Sequence, residues 1–222
     1  MRGKHDHRRI IGGWLLVAAI TGSFAAPAAR AQCASAPLSI QVNTTGTFHN
    51  TCTLDPITNR WNVTVTLTGT VTANSTVTIR GANTLMLGKV TVQNNTAIDC
   101  RVNILGSGFD QKIGGVGYFD KGTSAADKVL LLQLVTVGDV GYDKPSTAAI
   151  RADMIANLSI GGNVLGGLVS DAFGRTMTNV YIQGDLRGGV SVGPNSSIHS
   201  LWVGGNLGMP DADPVRIYAS GN

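Results

Sequence analysis

From Trp61 the chain alternates strictly between apolar and polar positions. Val63, Val65 and Leu67 fall on one face and Thr64, Thr66 and Thr68 on the other, the period of a half-buried strand. Further short apolar runs follow at 77–79, 85–87, 90–92 and 102–105, cut by turn formers such as Arg80-Gly81-Ala82-Asn83 and Gln93-Asn94-Asn95. Runs this short, each ended by a turn, fall below the length of an ordinary helix. Residues 32–60, with Thr, Asn and two cysteines, carry no such rhythm and predict an irregular N-terminal cap. Residues 106–128 hold Gly, Asp and the aromatics Phe109, Tyr118 and Phe119; they interrupt the rhythm and predict a loop excursion from one coil. Long loops on a regular scaffold are where function tends to sit.

Beyond Lys128 a repeat becomes legible. An apolar strand end, a Gly-Asp or Gly-Asn pair and another apolar residue recur at Val137-Gly138-Asp139-Val140, Gly161-Gly162-Asn163-Val164, Gln183-Gly184-Asp185-Leu186 and Gly204-Gly205-Asn206-Leu207. The Asp/Asn positions 139, 163, 185 and 206 are spaced by 24, 22 and 21 residues, a solenoid period. The predicted fold is all-β: a parallel β-helix over 61–222 with 21–24 residues per coil. Stacked coils bury a continuous apolar column, and each coil pairs its backbone with the coils above and below. Asp139, Asn163, Asp185 and Asn206 are then structural corners. Gly-Asx pairs tolerate left-handed backbone angles there, and stacked Asx side chains can bond along the axis. Residues 215–218 open another strand and the sequence stops at Ser220-Gly221-Asn222, where a further corner is due. The expectation is a solenoid open at this end, part of a longer protein, with an unpaired edge through which copies self-associate.

Composition supports strands over helices. All 13 acidic residues are Asp and none is Glu, and there are 29 Gly. The first residues change the charge argument. Arg2, Lys4, Arg8 and Arg9 precede an uncharged run from Ile10 to Ile20, and Ala29-Arg30-Ala31 follows, the layout of a cleavable signal peptide over 1–31. Eleven apolar residues rise about 16 Å as a helix, too short to span a bilayer. The leader takes five of the 17 basic residues and one of the 13 acidic ones, so the mature chain carries 12 of each. A balanced mature chain gives no ground for a nucleic-acid partner. No transmembrane segment is expected after cleavage, and the predicted location is secreted or cell surface.

Candidate chemistry is sparse. Cys33, Cys52 and Cys100 lie in an exported chain, where disulfides are permitted; an odd count leaves one over and the pairing open. Gly189-Val190-Ser191-Val192-Gly193 matches the nucleophile-elbow pattern, but Ser191 sits inside an alternating Val strand with His199 only eight residues on. Asp139 and Asp185, two coils apart, would stand about 10 Å from each other, within reach of an inverting carboxylate pair. Turn geometry alone also explains them. Asp110, Asp120 and Asp127 of the predicted excursion are a second acidic group. The Gly-Gly-Asn segments lack the Asp and the nine-residue spacing of calcium-binding repeats. Asn43, Asn62, Asn74, Asn94, Asn157 and Asn195 begin N-x-S/T sequons, which matter only in a eukaryotic secretory pathway. Trp61 and Trp202 are candidate sugar platforms or simple packing residues. No residue set assigns catalysis, a cofactor or a metal.

Gly-Asp/Asn repeats behind a signal peptide resemble the bacterial secreted β-strand-repeat proteins, the adhesin-like surface solenoids and autotransporter passenger domains, over about residues 61–222. The likeness is architectural; it implies a surface or extracellular role and no particular substrate. The expected function is that of a non-enzymatic exported or cell-surface β-solenoid, structural or adhesive, with a glycan or host-surface ligand as partner. The alternatives are a carbohydrate-active β-helix enzyme, of polysaccharide lyase or glycosidase type, and a glycan-binding module. An enzyme gathers free acidic and basic groups on one face of adjacent coils, whereas a structural solenoid uses them at its corners.

Overall fold

The computed structural model describes Cys33 and residues 36–122, 128–143, 148–208 and 217–219. The predicted leader at 1–31, Asp127 and residues 209–216 lie outside the described residues. In chain order the strands are β1 (Leu38–Asn43), β2 (Thr47–Asp55), β3 (Arg60–Thr68), β4 (Ser75–Gly81), β5 (Met86–Asn94) and β6 (Cys100–Gly106). They continue as β7 (Gly115–Asp120), β8 (Val129–Thr136), β9 (Ala148–Ala152), β10 (Met154–Ile160) and β11 (Gly167–Ser170). The last are β12 (Thr176–Ile182), β13 (Val190–Val192), β14 (Ser197–Ile198), β15 (Leu201–Val203) and β16 (Ile217–Ala219). No helix occurs among the described residues.

The chain is a parallel β-solenoid. One sheet runs β1-β4-β6-β8-β10-β12, with β14 and β15 both beside β12; the other runs β2-β3-β5-β7-β9-β11-β13-β16. From β3 onward the chain passes back and forth between the sheets, and every pairing between successive coils is parallel. Apolar residues two apart in sequence point inward and stack in columns along the axis. One column is Ile79, Ile104, Leu134, Leu158 and Val180; the facing sheet supplies Val63, Val90, Phe119, Ile150, Leu168 and Val190. All of these are buried. A third column, Val116, Val140, Val164, Leu186 and Leu207, closes the corner between the sheets. Full burial of one such side chain is worth about 1.5–3 kcal/mol, so the continuous columns are what hold coils with strands of only two to nine residues.

The N-terminal segment is not irregular as the sequence predicted. β1 and β2 run antiparallel to the first strands of the two sheets, Leu38↔Gly81 through Asn43↔Thr76 and Thr47↔Thr68 through Asp55↔Arg60. They take up the backbone groups that the first coil would otherwise leave unpaired, which is the job of a cap. The signal was hidden in β2, where Asn50 and Cys52 share a face with Phe48 and break the apolar alternation. A disulfide joins Cys33 to Cys52 and ties the chain before β1 to this cap; Cys100 is free and buried.

The predicted excursion at 106–128 is corrected as well. Residues 115–120 form β7, a full member of its sheet between β5 and β9, and Ile113, Val116 and Phe119 are wholly buried. Gly114, Gly115 and Gly117 obscured the strand. A Cβ at Gly115 would lie 2.8 Å from the Asp139 carbonyl oxygen, and one at Gly117 would strike the Asp143 carboxylate. Close approach of the next coil, rather than a loop, accounts for the glycines. The runs expected separately at 85–87 and 90–92 are likewise one strand, β5, with a register shift opposite Trp61 and Val63.

Candidate functional sites: the corner ladder and a charged seam

The four repeat corners stack into one hydrogen-bonded ladder. The Asn163 amide N–H donates to Asp139 Oδ1 at 2.6 Å and its Nδ2 donates to the same oxygen at 3.1 Å. The Asp185 N–H donates to Asn163 Oδ1 at 2.8 Å. Asn206 repeats the first arrangement on Asp185 Oδ1, with N at 2.9 Å and Nδ2 at 3.3 Å. The side chains of Asp139, Asn163 and Asp185 therefore each serve a backbone amide of the next coil. The hydrogen bonds from Asn206 hold the Asp185 carboxyl below its ordinary value of 3.8, with Arg187 adding to the effect.

The glycines beside these corners have a different reason from the one predicted. None of Gly138, Gly162, Gly184 or Gly205 has positive φ. A Cβ at Gly162 would collide with Asp139 Oδ1, one at Gly184 with Asn163 Oδ1, and one at Gly205 with Asp185 Oδ1. The Gly-Asx pair is thus a stacking unit: the Asx of one coil occupies the space that the Gly of the next coil leaves empty.

Left-handed backbone at the corners falls two residues further on, at Gly141 and Gly208 (φ 91° and 95°); it also occurs within the strands at Asn157 and Asn179, with φ of 46° and 49°. They bend β10 and β12, and Asn179 Nδ2 donates to Asn157 Oδ1 at 2.9 Å. The sequence carried a signal for this second ladder, Asn157-Leu-Ser-Ile and Asn179-Val-Tyr-Ile at one period's spacing, directly before the corner motifs.

The other acidic and nucleophilic candidates separate. Asp110 is exposed on the turn after β6, and Asp120 accepts the Gly122 N–H at 3.1 Å at the end of β7. Ser191 lies in β13 between the buried Val190 and Val192, on the face away from the core. Trp202 stacks on Tyr181, centroids 4.2 Å apart and planes within 2°, with 46% and 45% of the two residues exposed on the outer face of their sheet. Trp61 is half-buried and lines an open groove of about 320 Å³ with Pro37, Ala82, Leu85 and Met86. Burial, reinforced by Asp99, pushes the Cys100 thiol up to about 12, which leaves it unreactive at neutral pH.

Sequence reasoning missed a charged seam where β7, β9 and β11 end. Lys121 Nζ contacts Asp153 Oδ1 and lies 3.2 Å from Asp171 Oδ2. Arg151 Nε donates to Asp171 Oδ2 at 2.8 Å, and the Val129 N–H donates to Asp153 Oδ2 at 2.7 Å. Burial alone pulls the Lys121 ammonium down, but Asp153 and Asp171 together hold it above its ordinary value. Two further clasps run along the outside of the stack. Arg60 pairs with Asp143 and lies 3.9 Å over the Tyr142 ring, and Arg175 Nη2 reaches Asp99 Oδ2 at 3.0 Å. Among the described residues no group of three or more His, Cys, Asp or Glu has the geometry to hold a metal ion.

Comparison with protein-family models, with curated proteins and with solved structures matched nothing. The likeness to secreted bacterial solenoids therefore stands on architecture alone.

Proposed function

We propose that the chain is a non-enzymatic exported or cell-surface β-solenoid whose role is structural or adhesive. The observation that carries this reading is the use made of the carboxylates. Asp139 and Asp185, the best acid/base pair in the sequence, each accept a backbone amide from the neighbouring coil. Asp99, Asp143, Asp153 and Asp171 are each paired with a cation. A group used this way fastens neighbouring coils and faces no substrate. Balanced charge, the leader and the Cys33–Cys52 disulfide fit an oxidising, extracytoplasmic location. Expression of the full precursor should release a chain beginning at Gln32 into the exported fraction. Purified mature protein should bind cell or glycan surfaces without turning over polysaccharide. Cleavage of a polysaccharide that is lost in Asp139→Asn while stability is retained would replace this reading with the enzymatic one.

A second reading, a glycan-binding module, draws support from the Trp61 groove, whose apolar wall and open mouth suit a sugar ring. Oligosaccharide titration followed by Trp fluorescence, with Trp61→Ala as the comparison, separates the two. Saturable binding that disappears in Trp61→Ala, in a protein of unchanged stability, favours the module.

A further inference from the structure

The charged seam holds three groups in an arrangement that an ion pair does not require. Asp153 is fully buried, and only 8% of Lys121 is exposed. The seam adjoins the ends of β7, β8 and β9, where Phe119, Val129 and Ala152 are buried. Lys121 Nζ touches Asp153 Oδ1, while Asp153 Oδ2 is held from the other side by the Val129 N–H. A second carboxylate, Asp171, sits 3.2 Å from the same Nζ, and Arg151 fixes its orientation. An amine against a buried carboxyl, a donor on the carboxyl's other oxygen and a carboxylate placed to move protons are the parts of an amide-forming centre.

We propose that Lys121 and Asp153 condense spontaneously into an intramolecular isopeptide bond, with Asp171 as the proton carrier. Transfer of the ammonium proton to Asp171 and onward to Asp153 Oδ1 gives a neutral amine facing a neutral carboxylic acid, a minor form, since the two carboxylates hold the ammonium charged, but one whose cost the burial of Lys121 and Asp153 lowers. Nζ attacks Cγ of Asp153, and the Val129 N–H stabilises the charge that grows on Oδ2. Asp171 then removes a second proton from Nζ and returns it to the departing Oδ1. The C–N bond forms, the Cγ–Oδ1 bond breaks, and ammonium plus carboxylate become amide plus one water. No oxidant, metal or co-reactant enters. Fixed contact between the groups replaces the high concentration that the same condensation needs in solution. The product links the coil of β7 covalently to the coil of β9. Because both carboxylates also stabilise the ammonium, the bond accumulates after folding rather than during it.

The experiment is mass spectrometry of folded protein held for days at neutral pH, then denatured, reduced, alkylated and digested with trypsin. A branched peptide should appear in which residues 113–128, uncut at Lys121, are joined to residues 152–175 and lighter than their sum by one water. It should grow with time in folded protein and be absent from protein held in denaturant. Lys121→Arg and Asp153→Ala should lack it. Asp171→Asn, which keeps the shape of the carrier but not its basicity, should form it at least tenfold more slowly while retaining the wild-type β spectrum. Folded wild-type protein that yields only linear peptides after this incubation overturns the proposal. A branched peptide that forms equally fast in Asp171→Asn overturns the role given to Asp171.

Discussion

Replacing Asn163 by Ala tests the ladder at its middle rung. The backbone bond from residue 163 to Asp139 survives the change, since it uses the main-chain N–H. Two bonds are lost: Nδ2 to Asp139 Oδ1 at 3.1 Å, and the acceptor for the Asp185 N–H at 2.8 Å. The first is weak and is replaced by water. The second leaves a backbone donor without its partner at a half-buried corner. An unmade bond to a buried group costs about 1–3 kcal/mol, and water access at this corner places the change near the lower part of that range, about 1–2 kcal/mol. With a urea m-value of about 2 kcal/mol/M, the midpoint should fall by roughly 0.5–1 M with m unchanged. Asp139→Asn is the control. Its remaining side-chain oxygen still accepts both bonds from Asn163, so its midpoint should move by less than half as much. Equal losses in the two variants, or none in Asn163→Ala, would refute the account of the ladder as a set of amide acceptors.

Gly184→Ala should be damaging although its φ is not positive, because the new methyl meets Asn163 Oδ1 and, at 2.9 Å, the Gly162 backbone. The penalty should shrink but persist in the Gly184→Ala/Asn163→Ala double variant, read by a urea double-mutant cycle. On acidification, the lowered carboxyl of Asp185 adds stability that is complete above its unfolded pKa of about 3.9 and disappears as pH falls through its lower folded value. The acid limb of the stability curve should therefore be shallower in Asp185→Asn. The Cys100 thiol should resist alkylation in folded protein at pH 8 and react fully on unfolding, as counted by mass. Phe119→Ala should cost about 3–5 kcal/mol in chemical denaturation, a core-sized loss that a residue in a surface loop would not show.

Much of this architecture was legible because one physical requirement repeats. Each coil must present apolar residues inward at period two and turn at a fixed place, and Val140, Val164, Leu186 and Leu207 repeat that demand visibly. Where glycine replaces an apolar residue the pattern fails, and β7 reads as a loop although Phe119 lies in the core. The corner glycines were recognised but explained by backbone freedom, since a single strand cannot reveal that a side chain from the coil below fills the space beside them. The bend at Asn157 and Asn179 was readable in principle, as the two residues share spacing and context. The seam was not. Lys121 and Asp153 are 32 residues apart, and stacking alone brings them together.

The order of residues along the ladder has a consequence for how such a chain can be lengthened or shortened in evolution. The rungs read Asp, Asn, Asp, Asn, so each carboxylate is separated from the next by an amide that donates to the rung below and accepts from the rung above. Excision of the one coil that carries Asn163 would set Asp185 directly on Asp139, two like charges about 4.8 Å apart with neither able to donate to the other. Excision of the coil that carries Asp185 would set Asn206 on Asn163, a contact of the kind already made by Asn179 on Asn157. Coils are therefore not equivalent as units of gain and loss. Duplication in pairs preserves the alternation, whereas a single-coil deletion is tolerated or rejected according to which rung it removes.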